Sequence, residues 1–246
     1  MKTAVLTLLT FFLLSSAALA AGHAVTYTVS GEQFEGYYVS PAAGAPLVLL
    51  VHDWDGLTDY EVKRAEMLAK MGYAVFAVDL FGKGIRPAAM EERQKVTGAL
   101  YNDRARMRAL LQGGLAAAKS SGGNVKNAVA MGYCFGGAAV LELARSGADL
   151  KGFVAFHGGL ETPTGQDYRQ TKGKVLILHG TADSSVTMEH FADLAVALET
   201  AGVFHEMITY SGAPHAFTVF GSDRYRKDAD EKSWKRFGEF LQETLR

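Results

Sequence analysis

Short apolar runs alternate with stretches of helical periodicity along most of this chain. Pro46–Val51 reads Pro-Leu-Val-Leu-Leu-Val, and the same character returns at Ala74–Val78 and at residues 128–131, 153–156, 175–178 and, more weakly, 204–210. Continuous apolar strands of this length belong to parallel sheets covered by helices on both faces. Between them, Thr58-Asp59-Tyr60-Glu61 is a capping-box pattern that opens a helix to about Met71, with Gly72 closing it. Further helices are expected over residues 103–119, 135–145, 188–200 and 229–245, the last with Trp234, Phe237, Phe240 and Leu241 on one face. Residues 25–29 and 34–39 instead alternate apolar and polar around Ser30-Gly31, which reads as an antiparallel hairpin at a sheet edge. The layout predicts a doubly wound, mostly parallel α/β sheet with helices on both faces and an N-terminal hairpin. Residues 80–98, with Gly82, Gly84 and Pro87, are the least regular stretch, and no insertion is long enough for a separate lid domain.

Residues 1–20 stand apart from this pattern. Lys2 gives a positive start, residues 4–14 are apolar, and Ala18-Leu19-Ala20 is a small-x-small cleavage signal. That is the anatomy of a secretory signal peptide, with an apolar core short for a membrane span of about 20 residues. The expectation is export to the periplasm, with secretion as the alternative, and no stable membrane association after cleavage. Residues 21–246 then form one domain, since α/β folds of about 200–250 residues are commonly single.

Removing the leader takes away Lys2 alone among charged residues, so 24 basic residues face 26 acidic ones, a net of −2. With no basic excess to neutralise phosphates, nucleic acid is not an expected partner. A monomer or weak dimer acting on a small molecule is expected. The single cysteine, Cys134, has no intramolecular disulfide partner. It is either buried and inert or kept for its chemistry.

Its surroundings favour chemistry. Gly132-Tyr133-Cys134-Phe135-Gly136-Gly137 follows a predicted strand and opens a predicted helix, the setting of a nucleophile elbow. The helix N-terminus favours thiolate there. Asp183 follows the strand at 175–178, and His215 follows the last strand. Nucleophile, acid, histidine is the chain order of α/β-hydrolases, and all three fall beyond strand ends, where open parallel sheets bind ligands. Backbone N–H groups of Phe135 and of Trp54 are the expected oxyanion donors.

The chain resembles the dienelactone hydrolase family over essentially everything after the leader. The resemblance rests on Gly-x-Cys-x-Gly-Gly at 132–137, His-Gly-x-x-Asp at 179–183 and Pro-His-x-Phe at 214–217. It implies an α/β-hydrolase fold and a Cys–His–Asp triad, Cys134, His215 and Asp183, that hydrolyses lactones and esters. It also implies a thiol-activating carboxylate, usually glutamate, at the position of Asp53, one methylene shorter here. Of the two arginines that hold a substrate carboxylate in the founding enzymes, the first falls at Lys83, with Arg86 nearby, and the second at Val219.

The chemistry expected is acyl transfer through a thioester on Cys134, with no metal or organic cofactor needed. Two other readings stay open. His52, His157, His179, His215 and Asp183 lie near strand ends and suit zinc, though without close ligand spacing. A non-catalytic binding protein on the same fold is the other.

Overall fold

The computed structural model describes residues 21–245, so the leader expected at 1–20 lies outside the described residues. Eight strands form one sheet. β1 (His23–Val29) and β2 (Glu32–Val39) are the hairpin, and Ser30 and Gly31 turn it at φ 51° and 85°. Two central turn residues at positive φ match the twist of the flanking strands. β3 (Pro46–Val51), β4 (Ala74–Val78), β5 (Asn124–Tyr133), β6 (Gly152–Phe156), β7 (Lys174–Gly180) and β8 (His205–Tyr210) follow, and the sheet order is β1-β2-β4-β3-β5-β6-β7-β8. β2 runs antiparallel to β1 and β4, whereas β3 to β8 are mutually parallel. The fold is the expected α/β architecture.

Alternate strand residues feed two cores. Leu47, Leu49, Val51, Phe76, Phe153 and Ile177 pack under α3 (Arg104–Ser120), α4 (Phe135–Arg145) and α5 (Met188–Thr200). Val48, Leu50, Val75, Met131, Val154 and Leu176 pack under α1 (Asp59–Lys70) and α6 (Lys227–Thr244). Burial on both faces is why these strands read as unbroken apolar runs. The capping box forms as the pattern predicts: Glu61 accepts the Thr58 amide at 2.8 Å, and Thr58 Oγ1 accepts the Tyr60 amide at 3.3 Å.

One element departs from expectation. Part of the stretch expected to be irregular is α2 (Met90–Asn102), which buries only Thr97 and Leu100. A helix held by so narrow an apolar contact leaves no 3.6-residue stripe to read.

The chain passes from β3 out to β4 and back to β5 on the other side, so the crossovers reverse direction between β3 and β5. Such a switch point opens a crevice beyond the carboxyl ends of the strands. The residues after β3 and β5 are His52-Asp53-Trp54 and Cys134. Among the described residues no helix is long and apolar enough to cross a membrane.

Candidate active site

Cys134 stands between β5 and α4 at φ 52° and ψ −116°. A side chain at positive φ costs about 1–3 kcal/mol and persists only where the surroundings hold it. The surroundings are backbone: the Cys134 amide donates to the Phe156 carbonyl at 3.1 Å, and its own carbonyl accepts from Gly137 at 3.1 Å. The glycines of the elbow are demanded by contact. A Cβ on Gly132 would overlap the Gly136 carbonyl, and one on Gly136 would overlap the carbonyl oxygens of Val51 and His52. Gly136→Ala is accordingly expected to destabilise the protein by about 1–3 kcal/mol or more. Thermal melting checks this, and an unchanged melting temperature would show that the loop after β3 yields easily.

His215 Nε2 lies 3.0 Å from Cys134 Sγ, and His215 Nδ1 lies 2.8 Å from Asp183 Oδ2. The structure thus brings together Cys134, His215 and Asp183, from the ends of three different strands. Asp183 Oδ1 accepts the amides of Ser185 and Val186, each at 2.9 Å. Burial by itself would raise Asp183, but the His215 bond and charge and these two amides outweigh it and hold the carboxyl below its usual range. Burial likewise opposes a charged His215. The bonds to Asp183 and to the Cys134 sulfur prevail and raise the imidazole to about 10. The arrangement therefore favours a protonated His215 imidazole beside the Asp183 carboxylate at neutral pH.

The two amides expected to meet an oxyanion lie at the starts of the turns after β5 and β3. Phe135 opens α4, and Trp54 lies in the turn after β3 that rests against Gly136. Neither N–H has an acceptor among the described residues. The Trp54 ring is held at 5.3 Å by the Arg93 guanidinium, which also donates to the Pro87 carbonyl at 3.1 Å and lies 3.8 Å from Asp55.

Three other expected site residues make contacts elsewhere. Asp53 does not bond Cys134. Its Oδ1 accepts the Asp55 amide at 3.1 Å. Burial first, then Asp55, Glu61 and the Cys134 sulfur, raise Asp53 to about 10. A carboxylic acid that is neutral at pH 7 takes no proton from a thiol, so His215 is the base in contact. Lys83 is turned to the hairpin, with its ammonium 3.1 Å from Thr26 Oγ1 and 3.6 Å from Glu35. Arg86 braces the loops around the site: it donates to the carbonyls of Leu57 and Ile85 and lies 3.8 Å from Asp79. Both cations are thus engaged within the protein, and Val219 offers none.

The histidines that suited zinc are differently employed. His52 Nε2 accepts the Leu80 amide at 3.1 Å while Nδ1 meets the Asp53 carbonyl at 2.6 Å, which ties the loops after β3 and β4 together. His157 Nε2 meets Thr218 Oγ1 at 2.7 Å, and the His179 ring stacks on Phe191. The one carboxylate group with ligand-like proximity among the described residues is Asp53, Asp55 and Glu61, within 4.8 Å of one another.

Sequence reasoning missed Tyr101, whose ring meets Phe135 edge-on at 5.4 Å. Burial pushes its hydroxyl up, and its ring packs on the residue that follows Cys134. A tyrosine on the weakly patterned α2 gave no signal of this.

A family model described as the dienelactone hydrolase family matches residues 34–245. A Yersinia pestis protein named "Putative carboxymethylenebutenolidase" is 25% identical over 224 residues, covering 86% of this chain and 84% of that one. The solved structure named m3DLH is 30% identical with a TM-score of 0.86, covering 92% of this chain and 99% of its own. P91, a dienelactone hydrolase-like promiscuous phosphotriesterase from metagenomic libraries, is 28% identical with a TM-score of 0.86, covering 93% and 100%.

Proposed function

Because the chain belongs to the dienelactone hydrolase family, and so is a hydrolase, we propose that it cleaves uncharged carboxylic esters or lactones through a thioester on Cys134. The observation that carries this reading is the sulfur–imidazole–carboxylate line, 3.0 Å and 2.8 Å long, set on a strained elbow.

His215 carries the proton given up by the Cys134 thiol, and the Cys134 sulfur attacks the carbonyl carbon. The oxygen that gains the electron pair is met by the amides of Phe135 and Trp54, each such donor worth about 3–4 kcal/mol of barrier. Collapse expels the alkoxide, which takes its proton from His215, and leaves the acyl group on sulfur. In the second half His215 takes a proton from water as the water oxygen attacks the thioester. The acid leaves and the thiol is restored. Asp183 keeps the His215 proton on Nδ1 and stabilises the charged ring. None of these steps draws on a cofactor. Export through residues 1–20 belongs to the same reading, and N-terminal sequencing of the expressed protein tests cleavage after Ala20.

Substrate charge follows from the cations that are already engaged. With Lys83 on Glu35, Arg86 on Asp79 and Arg93 on Asp55, a substrate carboxylate would enter without a dedicated partner. Charged hydrogen bonds are worth roughly 1.5–3 kcal/mol. An uncharged ester or lactone is therefore expected to exceed its carboxylate-bearing analogue in kcat/KM by at least about tenfold. A panel of matched pairs measures this directly. Equal or better turnover of the carboxylates would show that one of these cations swings into the site. A phosphotriester belongs in the same panel, since P91 is described as acting on that class.

A further inference from the structure

Arg64 is 1% exposed, carries a permanent charge, and plays no part in the acyl transfer described above. Burying a guanidinium costs several kcal/mol, and a buried ion pair seldom returns more than a well-packed apolar substitute would. Its contacts lead toward the site. The guanidinium pairs with Asp230 of α6 and lies among the rings of Tyr60, Phe220 and Trp234 at 5.3, 4.2 and 4.8 Å. Its Nη2 donates to the Thr218 carbonyl at 2.9 Å, and its Nε donates to the Tyr60 hydroxyl at 3.3 Å. That hydroxyl lies 2.7 Å from Thr218 Oγ1, which is itself 2.7 Å from His157 Nε2. The His157 ring closes the line edge-on against His215, centroids 5.4 Å apart.

Thr218 is thus gripped by both its side chain and its carbonyl, three positions after His215. The turn between them is strained, with Ala216 at φ 62°, and His157 sits at φ 39°. With Cys134, these are three of the four non-glycine residues at positive φ among the described residues. Strain of this kind needs an outside hold. Arg64 Nε donates to the Tyr60 hydroxyl, so the line of hydrogen bonds runs unbroken from the guanidinium through Tyr60 and Thr218 to the His157 ring.

We propose that Arg64, Tyr60, Thr218 and His157 form the positioning apparatus of His215, holding its Nε2 in line with the Cys134 sulfur. The inference rests on the Cys134–His215 reading above, and its test separates the two. The purified protein is compared with Thr218→Val, which keeps the shape and removes the hydroxyl, and with Thr218→Ser, which keeps the hydroxyl. Iodoacetamide alkylation of Cys134 at pH 7 reads the sulfur–imidazole pairing without any ester. Turnover of p-nitrophenyl acetate reads kcat and KM.

Losing one buried hydroxyl of the line is expected to slow alkylation and lower kcat about tenfold in Thr218→Val. KM should stay within about twofold, and Thr218→Ser should restore both rates to within about threefold. Wild-type alkylation in Thr218→Val overturns the proposal, as does a serine variant as slow as the valine one, since shape rather than the hydroxyl would then matter. If Thr218→Val fails to fold, Tyr60→Phe removes the next hydroxyl and must slow alkylation in the same direction. A wild-type protein that alkylates fast but hydrolyses no ester would count against the proposed function and leave the positioning role standing.

Discussion

Cys134→Ala is expected to abolish ester hydrolysis, with kcat/KM down on the order of 10⁴-fold or more, while the protein melts within a few degrees of wild type. The loss is large because the sulfur is the atom that forms the new bond. The elbow, the two free amides and the His215–Asp183 pair all survive the change, but they serve a nucleophile that is gone. Stability changes little because alanine keeps the Cβ, and the sulfur's one hydrogen bond is to His215 at a part-buried site. Cys134→Ser is a sharper comparison. The hydroxyl is far less acidic than the thiol, so a site organised around a sulfur anion does not rescue it, and residual activity of about 1% or less is expected. Retention of a tenth or more of the wild-type rate in the alanine variant, in folded protein, would remove Cys134 from the mechanism.

Asp183→Asn is expected to lower kcat by about 10³–10⁴-fold with little change in KM. The two side chains have the same shape, and Oδ1 can go on accepting the amides of Ser185 and Val186. That orientation turns the new NH₂ group toward His215 Nδ1. A donor there forces Nδ1 to accept, so the ring proton moves to Nε2 and faces the sulfur. The imidazole can then no longer take the thiol proton. The bond to Asp183 is also a leading cause of the raised His215 value of about 10, so the imidazole should lose much of its charge at neutral pH. Iodoacetamide alkylation at pH 7, slowed in step with kcat, is the accompanying signature. Wild-type alkylation beside a lowered kcat would mean that Asp183 acts after acylation only.

The parts of this site that could be read from the sequence are those made by local rules. Strands buried on both faces announce themselves as Leu-Val-Leu-Leu-Val, and Thr58 with Glu61 announces a helix start. The elbow was legible because close backbone approach leaves only glycine at 132 and 136, and chain order then picked out Asp183 and His215. What stayed hidden depends on contacts between distant segments. Asp53 looked like a carboxylate beside the thiol. Its neutrality comes from burial first, then from Asp55 and from Glu61, which the capping box draws into the same buried corner. Lys83 and Arg86 have long side chains, and sequence does not say which of several carboxylates each will reach. Arg64 on α1 carries no local signal of burial, yet it is closed in and paired with Asp230 of α6. Tyr101 belongs to a helix whose thin apolar contact hid the element itself.

In the proposed mechanism the acyl group passes through the Cys134 sulfur. Turnover of p-nitrophenyl acetate quenched in acid, followed by intact-mass and peptide mass spectrometry, tests it most directly. One acetyl group on the peptide carrying Cys134, released by hydroxylamine at neutral pH and absent from Cys134→Ala, is the result the account predicts. Continued turnover with Cys134 unmodified, or with the acetyl group on another residue, would contradict it.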